Sequence, residues 1–311
     1  MISRIEEQSH PMDEPQAIPP QLSVVIPSYN MAPHIGRCLA SLMAQATSAA
    51  FEVIVVDSSN DGTDRLVRER FPDGLCIHLP RRTNAAMARN IGIRRARAPI
   101  VAFLDADCIA DPHWVDAILK AHAGPFEVVS GAISPATPHT LAGLMLFAIE
   151  FSQFTPRNRA RAVTFAPSCN LSARLEALIA VGLFPEEFDH SHDLVLCWRY
   201  GQLRRGPILF EPEIRVHHIF RARMGEALRH LTTLGRYSAK VRRACPMQGS
   251  FLLERPALVP LLVPLRYGRI LGRLAQSSRD RWPAALCIAC TPLILLGLAV
   301  WARGFMQGAK Q

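Results

Sequence analysis

Between Leu22 and Asp107 the chain repeats one unit: a short apolar run that ends in polar residues, then a stretch with helical spacing. The runs are LSVVIP (22–27), FEVIVVDSS (51–59), LCIHLP (75–80) and IVAFLDAD (100–107). They are short and rich in Val and Ile, as strands buried on both faces are. The intervals carry HIGRCLASLMAQ (34–45), apolar at 35, 39, 42 and 43, then TDRLVRERF (63–71), which Thr63 or Asp64 can cap, and NAAMARNIGIRRAR (84–97), which Pro99 ends. Such alternation dictates a parallel sheet built from βαβ units, with ligands outside the carboxyl ends of its strands. Pro27–Asn30, Asp57 and Asp105–Asp107 stand at three of those ends, so three strands aim polar residues at one crevice. Neither G-x-G-x-x-G after the first strand nor G-x-x-x-x-G-K-[ST] is present, which removes the usual dinucleotide fingerprint and the P-loop.

Residues 126–220 read differently. FEVVSGAIS (126–134) and ILFEPEIRVHHIF (208–220) are strands, and LAGLMLFAIEFSQF (141–154), RLEALIAVGLF (174–184) and a segment beginning near Asp193 are helices. This half supplies the acceptor side of the crevice. The organisation expected is a disordered leader (1–20), acidic and Pro-rich, then an α/β domain (21–220) with a nucleotide-binding half (21–115) and an acceptor half (116–220). A basic amphipathic segment (221–250) follows, apolar at 224, 228, 231, 234 and 241, with seven Arg or Lys against one Glu over 221–243, as on helices at membrane surfaces. The remainder (251–311) reads as membrane-associated. ALVPLLVPL (257–265) is short and broken by Pro, while 284–302 is uncharged for 19 residues, with Trp282 and Trp301 at its ends, and reads as a transmembrane helix. The five Arg of 266–281 put the flank of that helix, and the catalytic half, on the cytoplasmic side.

The net charge of +9 and pI near 9.5 call for an anionic partner: a nucleotide diphosphate, an anionic lipid surface or nucleic acid. Nucleic acid is set aside, because no zinc-finger spacing or aromatic RNA-binding pattern accompanies the charge. The eight Cys are scattered through apolar runs and read as reduced, buried thiols, including the C-x-x-C of Cys287 and Cys290.

The chemistry begins at Asp105-Ala106-Asp107. Alternate residues of an extended tip point the same way, so two carboxylates converge where they should repel. A divalent cation between them and a diphosphate removes the conflict, and Mg²⁺ or Mn²⁺ bound by one or two carboxylates plus substrate phosphates is the common form.

At this point the chain resembles the family 2 glycosyltransferases, which have the GT-A fold, a mixed α/β sheet flanked by helices. VVIPSYN, EVIVVDSSNDGT, NAAMARNIGI, IVAFLDADCIADPHW, CNLSAR and HDLVLCWR occur in the family's order and spacing, over roughly 22–220. The resemblance implies an enzyme that moves a sugar, with inversion, from a nucleotide-diphosphate donor to a saccharide or lipid-linked acceptor in cell-envelope or exopolysaccharide assembly. It implies that Pro27, Tyr29 and Asp57 line the base and ribose pocket, that Asn84, Arg89 and Asp105 contact the nucleotide sugar, and that Asp105 and Asp107 bind the metal. Asp193 takes the place of the family's general base, the second residue of a Glu-Asp pair. Of His217 and His218, only one can face the site on an alternating strand, and His217 is the expected metal ligand. Three positions depart from the family: His192 precedes the base instead of Glu, Ser58 follows Asp57 instead of a second Asp, and Asn84 replaces a Gly, tolerating left-handed backbone better than most residues. No Q-x-x-R-W segment is present, so a single sugar is transferred rather than a polymer extruded. The alternatives are a nucleotidyltransferase of similar fold, which would release pyrophosphate, and a basic nucleic-acid-binding protein.

Overall fold

The computed structural model describes residues 19–136, 140–203, 205–276 and 288–311. Nearly all of the leader and the first residues of the expected span, with Arg281, Trp282 and Cys287, lie outside them. The strands are β1 (Leu22–Ser28), β2 (Phe51–Asp57), β3 (Leu75–His78), β4 (Ile100–Leu104), β5 (Cys108–Ala110), β6 (Val128–Pro135), β7 (Arg161–Val163), β8 (Asn170–Arg174) and β9 (Ile208–His218). The helices are α1 (Ile35–Met43), α2 (Thr63–Arg70), α3 (Ala85–Ile93), α4 (Trp114–His122), α5 (Leu141–Phe151), α6 (Leu175–Ala180), α7 (His192–Gln202), α8 (Met224–Ala244), α9 (Leu262–Gln276) and α10 (Thr291–Ala309), with 3₁₀ turns at Ser250–Leu253 and Pro256–Leu261.

One sheet runs through the molecule in the order β3-β2-β1-β4-β8-β6-β9-β5, with β7 also on β9. The first four strands are parallel, in register Leu22↔Phe51, Leu22↔Ile100 and Ile54↔Leu75, so Ser28, Asp57 and His78 come level at one edge. The sheet becomes mixed at β8, antiparallel to both β4 and β6. Alternate residues of the parallel strands feed the two faces. Val24 and Ile26 pack with α1 and α4, and Val25, Ile54 and Phe103 pack with α3, α6 and α7.

A bulge between Gly131 and Ala132 shifts the β6–β9 register. Asn170 meets the polar groups there: its Nδ2 donates to the Ala132 and Ile214 carbonyls at 2.8 and 3.0 Å, and Trp114 Nε1 donates to its Oδ1 at 2.9 Å. Past the bulge, β9 pairs with β5, which sets Cys108 opposite His218 and Ile109 opposite His217.

The C-terminal part departs from the sequence reading. The expected basic helix forms as α8, but its apolar face, with Ala227, Leu231 and Gly235, packs against α5 and α10 rather than standing free for lipid. The short apolar run divides between the 3₁₀ turn at Pro256–Leu261 and α9, which continues into the arginine segment as far as Gln276. The helix expected at 284–302 runs at Thr291–Ala309, enclosing Arg303. Among the described residues it is the one helix long and apolar enough to cross a membrane, and 44% of its apolar window is buried inside the protein. The seven described cysteines are all free thiols.

Candidate active site

The loop after β1 turns through Asn30, whose φ of +54° lies in the left-handed region that Asn tolerates. The Asn30 N–H donates to Ser59 Oγ at 2.7 Å, tying the loop to the end of β2. Tyr29 stands exposed beside it, with the Arg82 guanidinium 4.7 Å over its ring. Pro27 is half-buried in the strand. Asp57 sits beneath with a fully buried side chain. It accepts from the Ser59 hydroxyl at 2.5 Å and N–H at 3.1 Å, and lies 3.0 Å from His78 Nδ1. As placed, Asp57 offers no surface to a ligand. Tyr29 and Arg82 do, and Arg82 was not among the residues expected from sequence, although RR at 81–82 adjoins NAAMARN.

Asn84 is not left-handed: its φ of −79° and ψ of 163° are extended. It caps α3, accepting from the Met87 N–H at 2.9 Å. Its Nδ2 donates to the Glu186 carbonyl at 2.7 Å and to Asp189 at 3.2 Å, so both ends of the side chain are engaged within the protein.

Arg89, at 2% exposure, lies under the crevice. One nitrogen donates to Asp105 Oδ1 at 2.5 Å, and another lies 2.7 Å from His192 Nε2. Part of the carboxylate conflict in Asp105-Ala106-Asp107 is therefore resolved inside the protein. Arginine has only donors, so His192 accepts through Nε2 and is neutral. Burial and then the Arg89 charge hold it well below the usual histidine range. His192 therefore adds no charge beside the presumed base.

Asp107 faces β9, where His218 Nε2 is 3.7 Å from its Oδ1. This corrects the choice between the two histidines. His217 is one residue along the strand, opposite Ile109, and so on the other side. His218 is held between the rings of Phe151 and Phe220, at centroid distances of 5.7 and 4.5 Å, and its Nδ1 is buried without a partner. Asp107, His218 and the Cys108 sulfur lie close enough to share a cation, but burial pushes the Cys108 thiol up, leaving the carboxylate and the imidazole as usable ligands.

Asp193 enters from the opposite side. Ser191 adopts φ +61° before α7, and the helix then begins with His192 and Asp193. The carboxylate accepts from the Ser168 N–H at 3.2 Å and its own neighbour's N–H, Leu194, at 2.8 Å. Burial raises its pKa; those hydrogen bonds and Arg89 oppose the shift, and Asp105 adds to it. Arg89 ties this side to the other, since it contacts both Asp105 and His192, the residue before Asp193. The bond to Cys108 draws the buried Cys169 thiol down, but burial and the charges of Asp105, Asp107 and Asp193 together leave it raised.

A profile of the family described as Glycosyl transferase family 2 matches residues 23–181. Validoxylamine A glucosyltransferase of Streptomyces hygroscopicus subsp. jinggangensis is 38% identical over 48% of this chain and 36% of its own length. Pre-mycofactocin glycosyltransferase of Mycobacterium tuberculosis is 26% identical over 93% of this chain and 63% of its own. The chain thus spans between about a third and two thirds of these two relatives. Among solved structures, mannosyltransferase PcManGT from Pyrobaculum calidifontis, in complex with GDP-Man and Mn2+, superposes with a TM-score of 0.58 at 22% identity, covering 96% of this chain and 90% of that one. S. aureus TarS 1-349 in complex with UDP-GlcNAc gives 0.55 at 18% identity, covering 93% and 90%. The fold is therefore GT-A-like.

Proposed function

The chain belongs to glycosyl transferase family 2, and from that premise we propose that it moves a single sugar from a nucleotide-diphosphate donor to an acceptor hydroxyl, inverting the anomeric centre, with Asp193 as general base. The observation that carries this reading is the link through Arg89, which joins Asp105 to His192, the residue before Asp193, while burial raises the Asp193 pKa above that of an ordinary aspartate. Asp193 removes the proton from the acceptor hydroxyl as that oxygen attacks the anomeric carbon. The Ser168 and Leu194 N–H groups hold its carboxylate in place, and His192, being neutral, leaves its charge uncompensated from that side. Tyr29 and Arg82 form the exposed wall where the base and ribose rest; Asp57 supports that wall from beneath by fixing Ser59, which fixes Asn30.

Asp107 and His218 fit a divalent ion, Mg²⁺ or Mn²⁺: one carboxylate and one imidazole face each other at 3.7 Å. Bound there, the ion would offset the charge of the departing nucleoside diphosphate. The complexes of two neighbours of the same fold with GDP-Man and Mn2+ and with UDP-GlcNAc support the same donor class.

Exposed apolar residues collect in the C-terminal helices, with Phe251, Leu261, Leu265 and Ile288 each more than half exposed. We read that surface as the membrane contact, with the crevice on the cytoplasmic side and an envelope saccharide or lipid-linked glycan as acceptor. The test is a donor screen with Mg²⁺ or Mn²⁺, reading nucleoside-diphosphate release. One nucleotide sugar should support release that EDTA abolishes and Asp107→Asn cuts about 100-fold or more, the scale on which a single electrostatic contact to the transition state acts. Pyrophosphate release instead, or release indifferent to both changes, would reject the assignment.

A further inference from the structure

The loop after α5 carries Arg157 and Arg159, Arg161 opens β7, and α9 contributes Arg273. With Gln153 and Asn158 they line an open basin of about 600 Å³. Some arginines of the fold have carboxylate partners: Arg68 with Asp64, Arg89 with Asp105, Arg97 with Glu52, Arg205 with Glu127. Among the described residues, none of the four basin arginines lies within ion-pair distance of a carboxylate. Arg161 is held by uncharged groups, donating to the Gln153 carbonyl at 2.6 Å and lying 4.8 Å over the Phe210 ring. Burial, then the charges of Arg269 and Arg161, depress Arg273, so the cluster bears its own repulsion.

Two stretches of chain lead from the basin to the crevice. Gln153 is two residues beyond Phe151, the ring packed on His218. Thr164 is four residues before Ser168, whose N–H holds Asp193, a reach of at most about 14 Å of extended chain. Guanidinium forks match phosphate oxygens in bidentate geometry, and several converging on one hollow recognise a polyanion rather than a lone carboxylate.

We propose that this basin is an anion subsite of the acceptor, taking a phosphate or diphosphate group that the acceptor carries beside the hydroxyl to be glycosylated. It rests on sugar transfer at Asp193 and names the class of acceptor for it. The test uses the full chain in metal-free buffer with EDTA, so that binding at Asp107 and His218 through a cation is silent. Inorganic pyrophosphate is titrated calorimetrically into the wild type and into a combined Arg157→Ser, Arg159→Ser, Arg273→Ser variant, with melting temperature as the folding control. The variant should bind at least about tenfold more weakly, the loss expected when several charge-assisted contacts go. A charge-matched variant with Arg37, Arg65 and Arg70 changed to Ser should bind as the wild type does. Equal binding by the basin variant, equal loss in the charge-matched one, or no pyrophosphate binding by the wild type overturns the proposal. Vesicles of phosphatidylcholine, alone or mixed with phosphatidylglycerol, then separate the sources. If the basin reads a lipid headgroup, the basin variant alone loses the extra binding to the anionic vesicles; if it reads the phosphate of a soluble acceptor, vesicle binding is unchanged while pyrophosphate binding still falls. No turnover is required, so absence of sugar transfer would sink the reading at Asp193 and leave this measurement intact.

Discussion

At the carboxyl ends of the strands the molecule packs charged side chains against one another; between α8 and α10 it packs backbone against backbone. In the first region Arg89 lies buried between Asp105 and His192, and Asp193 is half-buried under a raised pKa. In the second, Gly235 meets the carbonyl of Trp301, and Gly304 meets that of Thr232, with no room for a side chain at either. The first arrangement holds ionisable groups in states that water would not favour, which suits proton transfer. The second holds no chemistry and gains dispersion and close fit. Substitutions in the crevice should therefore alter turnover more than folding, and those in the seam should do the reverse.

The sharpest break of that contrast is Asp193→Asn. Removing a positioned base costs about 10² to 10⁴ in rate, so kcat should fall by roughly 10³ while donor binding persists. Nucleoside-diphosphate release and a donor titration check the two halves, and an Asn variant with wild-type kcat removes Asp193 from the mechanism. The pH profile carries the sign. Because the folded pKa is raised, the catalytic carboxylate fills with protons on acidification sooner than an ordinary aspartate, and kcat/KM should fall on that limb. For folding the same shift works in reverse: the native state binds the proton more tightly than the unfolded chain, so this residue favours folding at low pH and loses that contribution as pH rises through its folded pKa. The Asn variant should lose both dependences.

The next test belongs to the seam. A Cβ at Gly235 overlaps the Trp301 carbonyl and crowds the Phe305 amide, which are backbone atoms and cannot rotate away. Gly235→Val should cost about 3 kcal/mol or more, as overpacking against an unyielding partner does, and appear as a lowered denaturation midpoint. Material that remains folded should keep its donor affinity. A variant as stable as the wild type would mean that α8 and α10 part easily, and the two regions would then differ less than their packing suggests.

What the sequence made legible follows the same division. The strands of the first half, the helices between them and the polar strand ends are local patterns, read from runs of Val and Ile and from where Asp falls. Arg89 joins Asp105 to His192, the neighbour of Asp193, and Asp107 lies beside His218. The sequence reading went astray where side chains find distant partners. His217 and His218 differ by one step of a strand whose register depends on a bulge in β6, which no local pattern announces. Asp57 looks like a ligand group until Ser59 and His78 enclose it. The apolar face of α8 reads as lipid-facing in isolation, because hydropathy does not record that another helix covers it. Glycines at 235, 304 and 308 were the available signal, since small residues on facing helices mark close approach.

The smallest effect lies where the two regions join. Asp189 accepts from Asn84 Nδ2 at 3.2 Å on the crevice side and from the Tyr237 hydroxyl of α8 at 2.9 Å on the other. Asn84 also caps α3 and holds the Glu186 carbonyl. Asn84→Ala removes all three bonds, with the cap alone worth about 1 kcal/mol, whereas Asn84→Ser keeps an N-cap oxygen but is too short for the cross-link. Equilibrium unfolding should therefore rank wild type, Ser and Ala in that order, with Ser recovering much of the cap energy. Donor KM should move little in either variant if the side chain is engaged as placed. A KM that rises strongly in both, with stability unchanged, would instead put Asn84 on the nucleotide, and the joint between crevice and seam would have to run through Tyr237 and Asp189 alone.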